Sequence, residues 1–488
     1  MKRLTKKQMI IFAIGQLGWS ILGGIISAWL VTFFLPTSGD RELGAVQYLM
    51  PALIGGFLTI IGIITALSRI FDAVTDPLIA SWSDRSKNPK GRRMPFMKWA
   101  AIPFAAVTVL LFCIDFGAYD SSLGWMNIVW VSVMIVLFYL FMTMYCTPYN
   151  ALISEFGKTQ EDRMFISTAI SFTYLFGTLL AYTPFVFAGL LRGAVGFAWS
   201  YRICFIVLAV IACVCMLLPV FLIKEKDYAE GKPSEENVFR SLTSTFKNKE
   251  FRTFALSDLA YWVGLTMFQT GLPFFVKVSL GFDAAKVIIF MGGMSIISAL
   301  FYPFVTKLVK KFGKKKLVIA GFLGLAICYA ITAIASIPGF LPEENNANGL
   351  SWVFGVLIML VSALPMALLG IIPQSIVADV AEAESVTTGQ NREGMFFAAR
   401  TFAMKFGQSI AMLLFTSFAI AFGTVINNEN YPSKTGMLVI AIVAVAFCVI
   451  GAVILMFYRE KKIMKTIAKE GDEAFLKAVE ANNKEDKE

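Results

Sequence analysis

Residues 224–250 read KEKDYAEGKPSEENVFRSLTSTFKNKE, the longest polar stretch within an otherwise apolar chain. Apolar runs near 20 residues recur on both sides of it, each long enough to cross a hydrocarbon core of roughly 30 Å as a helix. A window of about 19 residues finds about twelve such spans. Their limits are close to 9–35, 51–83, 96–116, 124–150, 164–190 and 199–223, then 251–278, 284–308, 316–337, 350–377, 395–424 and 435–458. The polar stretch therefore divides the spans six and six. It sets off an N-terminal half (1–223), a linker (224–250), a C-terminal half (251–458) and a tail (459–488). Composition agrees: of 488 residues, 57% are hydrophobic and 16% charged, where soluble domains carry about 25% charge. A soluble enzyme is excluded, as is disorder beyond short tails.

Two six-helix halves joined by a polar linker predict an all-α membrane protein of the major facilitator fold. The halves echo one another. Span two runs into Asp84-Arg85 and Lys90-Gly91-Arg92-Arg93, and span eight into Lys310-Lys311-Phe312-Gly313-Lys314-Lys315-Lys316. Ordinary cytoplasmic anchoring would place basic residues there too. The net charge of +10 is concentrated in alternate connections, which also hold Lys224, Lys249, Lys307, Arg459 and Lys465. The other connections hold little beyond Arg41, Arg192, Arg202, Lys286 and Lys434. By the positive-inside rule both termini are expected in the cytoplasm. The charge thus serves topology, and no nucleic-acid partner is expected. The first apolar run is too long for the core of a cleavable signal peptide. The chain has no histidine, and its seven cysteines lie in apolar runs without a CxxC pattern. No enzyme motif stands out and no cofactor is expected. In the tail, Ile463, Ile467, Phe475, Leu476 and Val479 form a weak apolar stripe, as on a helix lying near the membrane.

Charges inside spans carry the functional reading, because a charge in the bilayer costs several kcal/mol. Span two contains Ser68-Arg69-Ile70-Phe71-Asp72-Ala73-Val74-Thr75-Asp76-Pro77. Spacings of three and four put Arg69, Asp72 and Asp76 on one helical face. At 1.5 Å per residue, Asp76 lies about 11 Å and Asp72 about 17 Å deep. Two carboxylates one turn apart need a cation to stay ionised in a low dielectric. Sodium suits them as a hard cation, and a shared proton would satisfy the same electrostatics. Thr75 is a further oxygen for a sodium cage. A purely structural Arg69–Asp salt bridge would neutralise only one of the two acids. Lys405 in span eleven, roughly 15 Å deep, needs an acidic partner. Asp72 or Asp76 is the candidate across a central cavity, and Asp379 or Glu382 the nearer-interface alternative. Asp258 in span seven is placed equally well at the interface or in the cavity. Thr143, Cys146, Thr147 and Asn150 form a polar stripe on span four, which fits either a site or helix–helix glue. Trp19 and Trp262 occupy similar depths in spans one and seven. They offer aromatic platforms for a sugar ring, although packing alone explains many such residues.

These residues resemble the glycoside–pentoside–hexuronide:cation symporters, the melibiose-carrier branch of the major facilitators. The match is Arg69-x-x-Asp72-Ala73-x-x-Asp76-Pro77, then Asp84-Arg85 and Gly91-Arg92-Arg93-x-Pro95-Phe96. Val377-Ala378-Asp379 and Thr401-x-x-x-Lys405-x-Gly407 match as well, so the likeness covers essentially the whole membrane part. It implies cation-site carboxylates at Asp72 and Asp76, a helix-four threonine at Thr143 and a coupling lysine at Lys405. Thr75 stands where the melibiose carrier has an asparagine near that site. The sequence departs from that carrier where the galactoside is held. Helix one offers Gln16, Trp19 and Ser20 in place of an acid. Helix four offers Cys146 and Asn150 in place of an acid and an aromatic, and helix five Ser171 in place of an arginine. The family also includes lysolipid carriers.

The expectation is a multi-pass symporter of the cell membrane, acting as a monomer. It would couple sodium or proton entry to uptake of a sugar or glycoside by alternating access. A uniporter or a lipid carrier on the same fold is the alternative. Asp84, Arg85, Arg92, Arg93 and Asp379, with Glu155, are expected to close the cytoplasmic side.

Overall fold

A computed structural model describes residues 3–467 except 52, 55–57, 85, 87, 89–90, 158, 229–244, 389–392 and 427–428. The first six long helices are α1 (Lys6–Phe34), α2 (Ile60–Asp84), α3 (Met94–Cys113), α4 (Met126–Phe156), α5 (Gln160–Ala181) and α6 (Phe197–Leu222). After the linker come α7 (Lys249–Phe274), α8 (Val287–Phe312), α9 (Lys314–Ala335), α10 (Gly349–Thr388), α11 (Glu393–Ala421) and α12 (Lys434–Met456). Helices are the natural solution for a chain in lipid, because each satisfies its own backbone polar groups. Among the described residues, 11 helices are long and apolar enough to cross a membrane. Helix α2 is long enough at 25 residues, but every 18-residue stretch of it contains Arg69, Asp72 and Asp76. The charges that mark the candidate site are what lower its apolarity.

Three expected spans need correction. The second starts at Ile60, not near residue 51, because Leu53–Ile54 pairs antiparallel with Leu58–Thr59 in a small hairpin. Pro51 and Gly55-Gly56 in the sequence disfavour a helix there. The fifth breaks after Ala181 and resumes as Pro184–Val195, with proline in the first turn of the new segment, where its missing N–H is harmless. The seventh extends past Phe274 as a wider π-helical turn, Phe275–Ser279. A second hairpin joins Thr424–Ile426 to Glu429–Tyr431. Of the tail, residues 460–467 are helical and Ile463 is buried; Phe475, Leu476 and Val479 lie outside the described residues.

Local chemistry sets several helix starts. Thr5 and Gln8 form a capping box on α1, and Asn248 and Ser433 cap α7 and α12, each accepting from a first-turn N–H. Close crossings use small residues. A Cβ at Gly18 of α1 would lie 2.5 Å from the Ala212 carbonyl of α6. Ahead of α1, Arg3 Nε bonds Asp162 Oδ2 at 2.7 Å. This hydrogen bond holds the Asp162 carboxyl below its ordinary range. A depressed folded pKa gives stability that is present above the unfolded value of about 3.9 and lost as pH falls through the folded one. Arg3→Ala should therefore lower Tm slightly at pH 7, with the two melting curves converging toward pH 3.

The two halves repeat one arrangement at the end of the bundle that carries the linker. Gly91 and Gly313 adopt φ of +130° and +83°, which glycine adopts without steric cost. Each precedes a helix whose first amides point at a glutamate. Glu225, just after α6, accepts from Arg92, Arg93 and Met94 N–H at 2.8–3.0 Å. Glu460, just after α12, accepts from Lys314 and Lys315 N–H at 2.7 and 3.2 Å. An anion at a helix N-terminus is stabilised by the helix dipole. Each basic turn also pairs with an acid: Arg92 and Arg93 reach Glu155 at 2.9 and 2.6 Å, and Lys314 reaches Asp379 at 2.5 Å. These pairs lie within a half, so they brace each half and do not bolt the two together. Of the remaining expected gate residues, Arg85 and the Asp84 side chain lie outside the described residues.

Contacts between the halves follow a different course. Lys405 of α11 meets Asp72 and Asp76 of α2. One step further from the linker end, Ser409 Oγ donates to the Ala66 carbonyl at 2.9 Å, and beyond it Thr59 Oγ1 meets Thr416 Oγ1 at 2.9 Å. At the far end Lys277, from the π-turn, is paired with Asp40 and lies 3.3 Å from Glu344. Glu344 also accepts from Thr37 Oγ1 at 2.9 Å. Among ion pairs with both partners described, none joins the halves at the linker end. The seam is zipped from its middle to the far end.

Candidate cation and solute site

Four charges meet at the middle of the seam. Lys405 Nζ lies 2.8 Å from Asp72 Oδ1 and 2.5 Å from Asp76 Oδ2. Arg69 Nη1 stands 3.7 Å from Asp72 Oδ2, and its guanidinium lies 4.5 Å from the centre of the Tyr139 ring, a favourable cation–π geometry. Thr143 Oγ1, from α4, is 2.8 Å from Asp72 Oδ1 and 3.0 Å from Asp76 Oδ1. Its single proton serves one carboxylate at a time. Two cations and two anions sum to zero, which makes this burial tolerable. The Asp72 side chain is fully buried, whereas that of Asp76 is 24% exposed.

The structure thus brings together Arg69, Asp72, Asp76, Thr143 and Lys405. It excludes Asp379 as the partner of Lys405, since Asp379 is engaged by Lys314. The Thr75 hydroxyl donates to the Asp72 carbonyl at 3.1 Å, within its own helix, which leaves its oxygen lone pairs free. The oxygens facing the seam are those of the two carboxylates and Thr143, a hard donor set suited to a small cation or a proton. Asp72 Oδ2 is buried without a hydrogen-bond donor, so the set has acceptor capacity to spare.

The expected cavity residues sort differently. Gln16 is buried on α1. Ser20 is a packing residue, donating to the Leu17 carbonyl at 3.0 Å and pressed against Gly177 of α5. Cys146 is buried one turn from Thr143, and Asn150 is exposed one turn further on. Trp19 buries an indole N–H with no acceptor, the Trp262 N–H makes no well-aligned hydrogen bond but has the Asp258 carboxylate within reach, and the Trp19 ring lies 6.4 Å from that of Tyr174. Asp258 belongs to neither expected setting alone: it is buried and bound by Arg400 of α11 at 2.9 and 3.2 Å. Sequence reading missed Tyr139, Glu225, Glu460, Arg400 and Lys277. Only Lys277 had a signal, a lone lysine in Pro273-Phe274-Phe275-Val276-Lys277-Val278.

Twelve long helices among the described residues, in two halves with a buried ionic site on the seam between them, define a membrane transporter of the major facilitator type. The chain belongs to the MFS/sugar transport protein family, whose model matches residues 3–461. It is 25% identical over 439 residues to the uncharacterized symporter YjmB of Bacillus subtilis (strain 168), covering 85% of this chain and 83% of that one. It is 22% identical over 416 residues to the isoprimeverose transporter of Lactiplantibacillus pentosus, covering 83% and 81%. The inward open structure of the Escherichia coli xylose transporter XylE superposes with a TM-score of 0.59 at 16% identity, covering 90% of this chain and 94% of that one. That last likeness carries the fold alone.

Proposed function

We propose that this chain is a symporter that carries a sugar or glycoside into the cell together with sodium or a proton. It acts as a monomer in the plasma membrane, with both termini and the linker in the cytoplasm. The basic turns holding Arg92, Arg93 and Lys314 favour that orientation. In that orientation the described polar contacts between the halves run from the middle of the seam toward the outside. Family membership and the sugar named for the Lactiplantibacillus relative support the solute class, and the name symporter supports co-transport.

The observation that carries the coupling is the seating of Lys405 between Asp72 and Asp76. The site is neutral with Lys405 in it. A cation entering the same oxygens would leave an excess positive charge, so cation and ammonium compete for one seat. Lys405 stands on α11 and the carboxylates on α2. Cation entry therefore releases a bolt between the halves, and cation exit lets it close again. Solute binding that favours the released state would be coupled to cation binding, typically by about 1–3 kcal/mol.

The test is uptake of isoprimeverose and lactose by vesicles holding the purified chain, with an imposed sodium gradient, a proton gradient or neither. Accumulation above the outside concentration is expected with one of the two gradients. Uptake indifferent to both would reject symport and leave a uniporter.

A further inference from the structure

Helix α7 carries Asp258, Trp262 and Thr266 at spacings of four, hence on one face. The Asp258–Arg400 pair fixes that face against α11. Gly407 brings the backbones close: a Cβ there would lie 2.7 Å from the Leu259 carbonyl and 3.3 Å from the Trp262 Cβ. Gln408 follows Gly407 and is one turn from Lys405, on the same side of α11.

Two polar atoms in this corner, Thr266 Oγ1 and Gln408 Oε1, are buried with no hydrogen-bond partner, and a third, Trp262 Nε1, makes no well-aligned hydrogen bond although the Asp258 carboxylate is within its reach. Thr266 is only 6% exposed. Its isolation is unlike that of other buried helix threonines. Thr65, Thr108, Thr332 and Thr416 each donate to the carbonyl one turn back, at 2.8–3.0 Å. Buried polar atoms are nearly always paired, so two orphans and a poorly paired N–H on adjoining faces of two helices call for a missing partner. Its chemistry follows from theirs. The indole N–H only donates, the amide oxygen only accepts, and the hydroxyl does both. None is charged. A neutral group that both gives and takes hydrogen bonds meets these needs; an alcohol does so, as does water, and the sugar reading above selects the alcohol.

We propose that Trp262, Thr266 and Gln408 form a neutral subsite for neighbouring hydroxyls of a sugar ring, one helical turn from Lys405. The proposal rests on the transport reading above and adds the wall that reads the solute. An occupant there touches the helix face that bears the cation-site lysine, which links solute and cation through α11.

The experiment measures binding of isoprimeverose, lactose and methyl β-xyloside to the full chain by calorimetry. It then measures the monodeoxy analogues of whichever sugar binds. One or two of the deoxy analogues are expected to bind roughly tenfold more weakly, the scale of a hydrogen bond. Thr266→Val keeps the shape and Gln408→Leu most of it while removing the polar atom, and Trp262→Phe keeps an aromatic face while removing the N–H. Each should weaken the parent sugar about tenfold yet leave unchanged the analogue that lacks the matching hydroxyl. The melting temperature without sugar checks that each variant folds. Parent affinity unchanged in the folded variants would overturn the subsite, with the three atoms then holding water. Equal binding of every deoxy analogue by the unmutated chain would overturn it without any variant. No binding of any of the three sugars would reject the sugar reading itself, and the subsite with it.

Discussion

Asp76→Asn should abolish accumulation of solute against a gradient while leaving slow downhill equilibration. Three charges would remain, Arg69, Lys405 and Asp72, so the site becomes net positive before any cation arrives. A unit charge about 4 Å away at an effective dielectric near 20 costs about 4 kcal/mol, which lowers cation affinity by roughly three decades. Asp76 is the better choice for this test than Asp72. Its side chain is 24% exposed and leans on Lys405, whereas Asp72 is fully buried and also faces Arg69. Loss of Asp72 would therefore cost fold as well as function. The opposite sign is expected for Lys405→Met. It leaves two carboxylates with Arg69 alone, so the cation should bind more tightly and leave more slowly. Sodium or proton affinity and the steady accumulation ratio should be measured on both variants. A normal accumulation ratio in Asp76→Asn would remove these carboxylates from the coupling mechanism.

The central site was legible in the sequence because charges inside an apolar run stand out against their surroundings. Arg69, Asp72, Asp76 and Lys405 needed only helical spacing and the cost of burial to be grouped. The basic turns at Gly91 and Gly313 could be matched for the same reason. Their partners Glu225 and Glu460 could not. Each is an ordinary acid in a polar segment, and its role depends on the chain folding back onto the start of α3 or α9. The Asp258–Arg400 pair was hidden because each residue alone reads as sitting near a span end. Orphaned atoms such as Thr266 Oγ1 have no sequence signature at all, since other threonines on equally apolar helices satisfy themselves locally. The starts and breaks of α2 and α5 were blurred by averaging hydropathy over a window longer than the hairpin or the proline turn.

Lys277 was overlooked as a lysine near a span end, where a long side chain can reach water. It is instead buried, and it ties the halves together at the end proposed to face outside. Asp40 and Glu344 lie on opposite sides of the seam, and Thr37 and Gly39 add hydrogen bonds to Glu344. This cluster must come apart whenever the carrier opens outward. Lys277→Met should therefore do more than weaken one contact, because it leaves the buried Asp40 carboxylate facing the partly buried one of Glu344. Removing one partner of a buried pair typically costs about 3–5 kcal/mol, here charged to the closed state alone. The balance between the two access states should move outward by roughly two to four decades. Spin labels at the exposed positions Glu42 and Asn345 would report the move as a new, longer distance. Adding Asp40→Asn to Lys277→Met removes much of the repulsion and should restore the short distance in part. That partial rescue separates an ionic lock from simple loss of packing, since a second substitution in a merely damaged core would add to the damage. An unchanged distance distribution in Lys277→Met would mean that apolar packing, not this cluster, keeps the outer end shut.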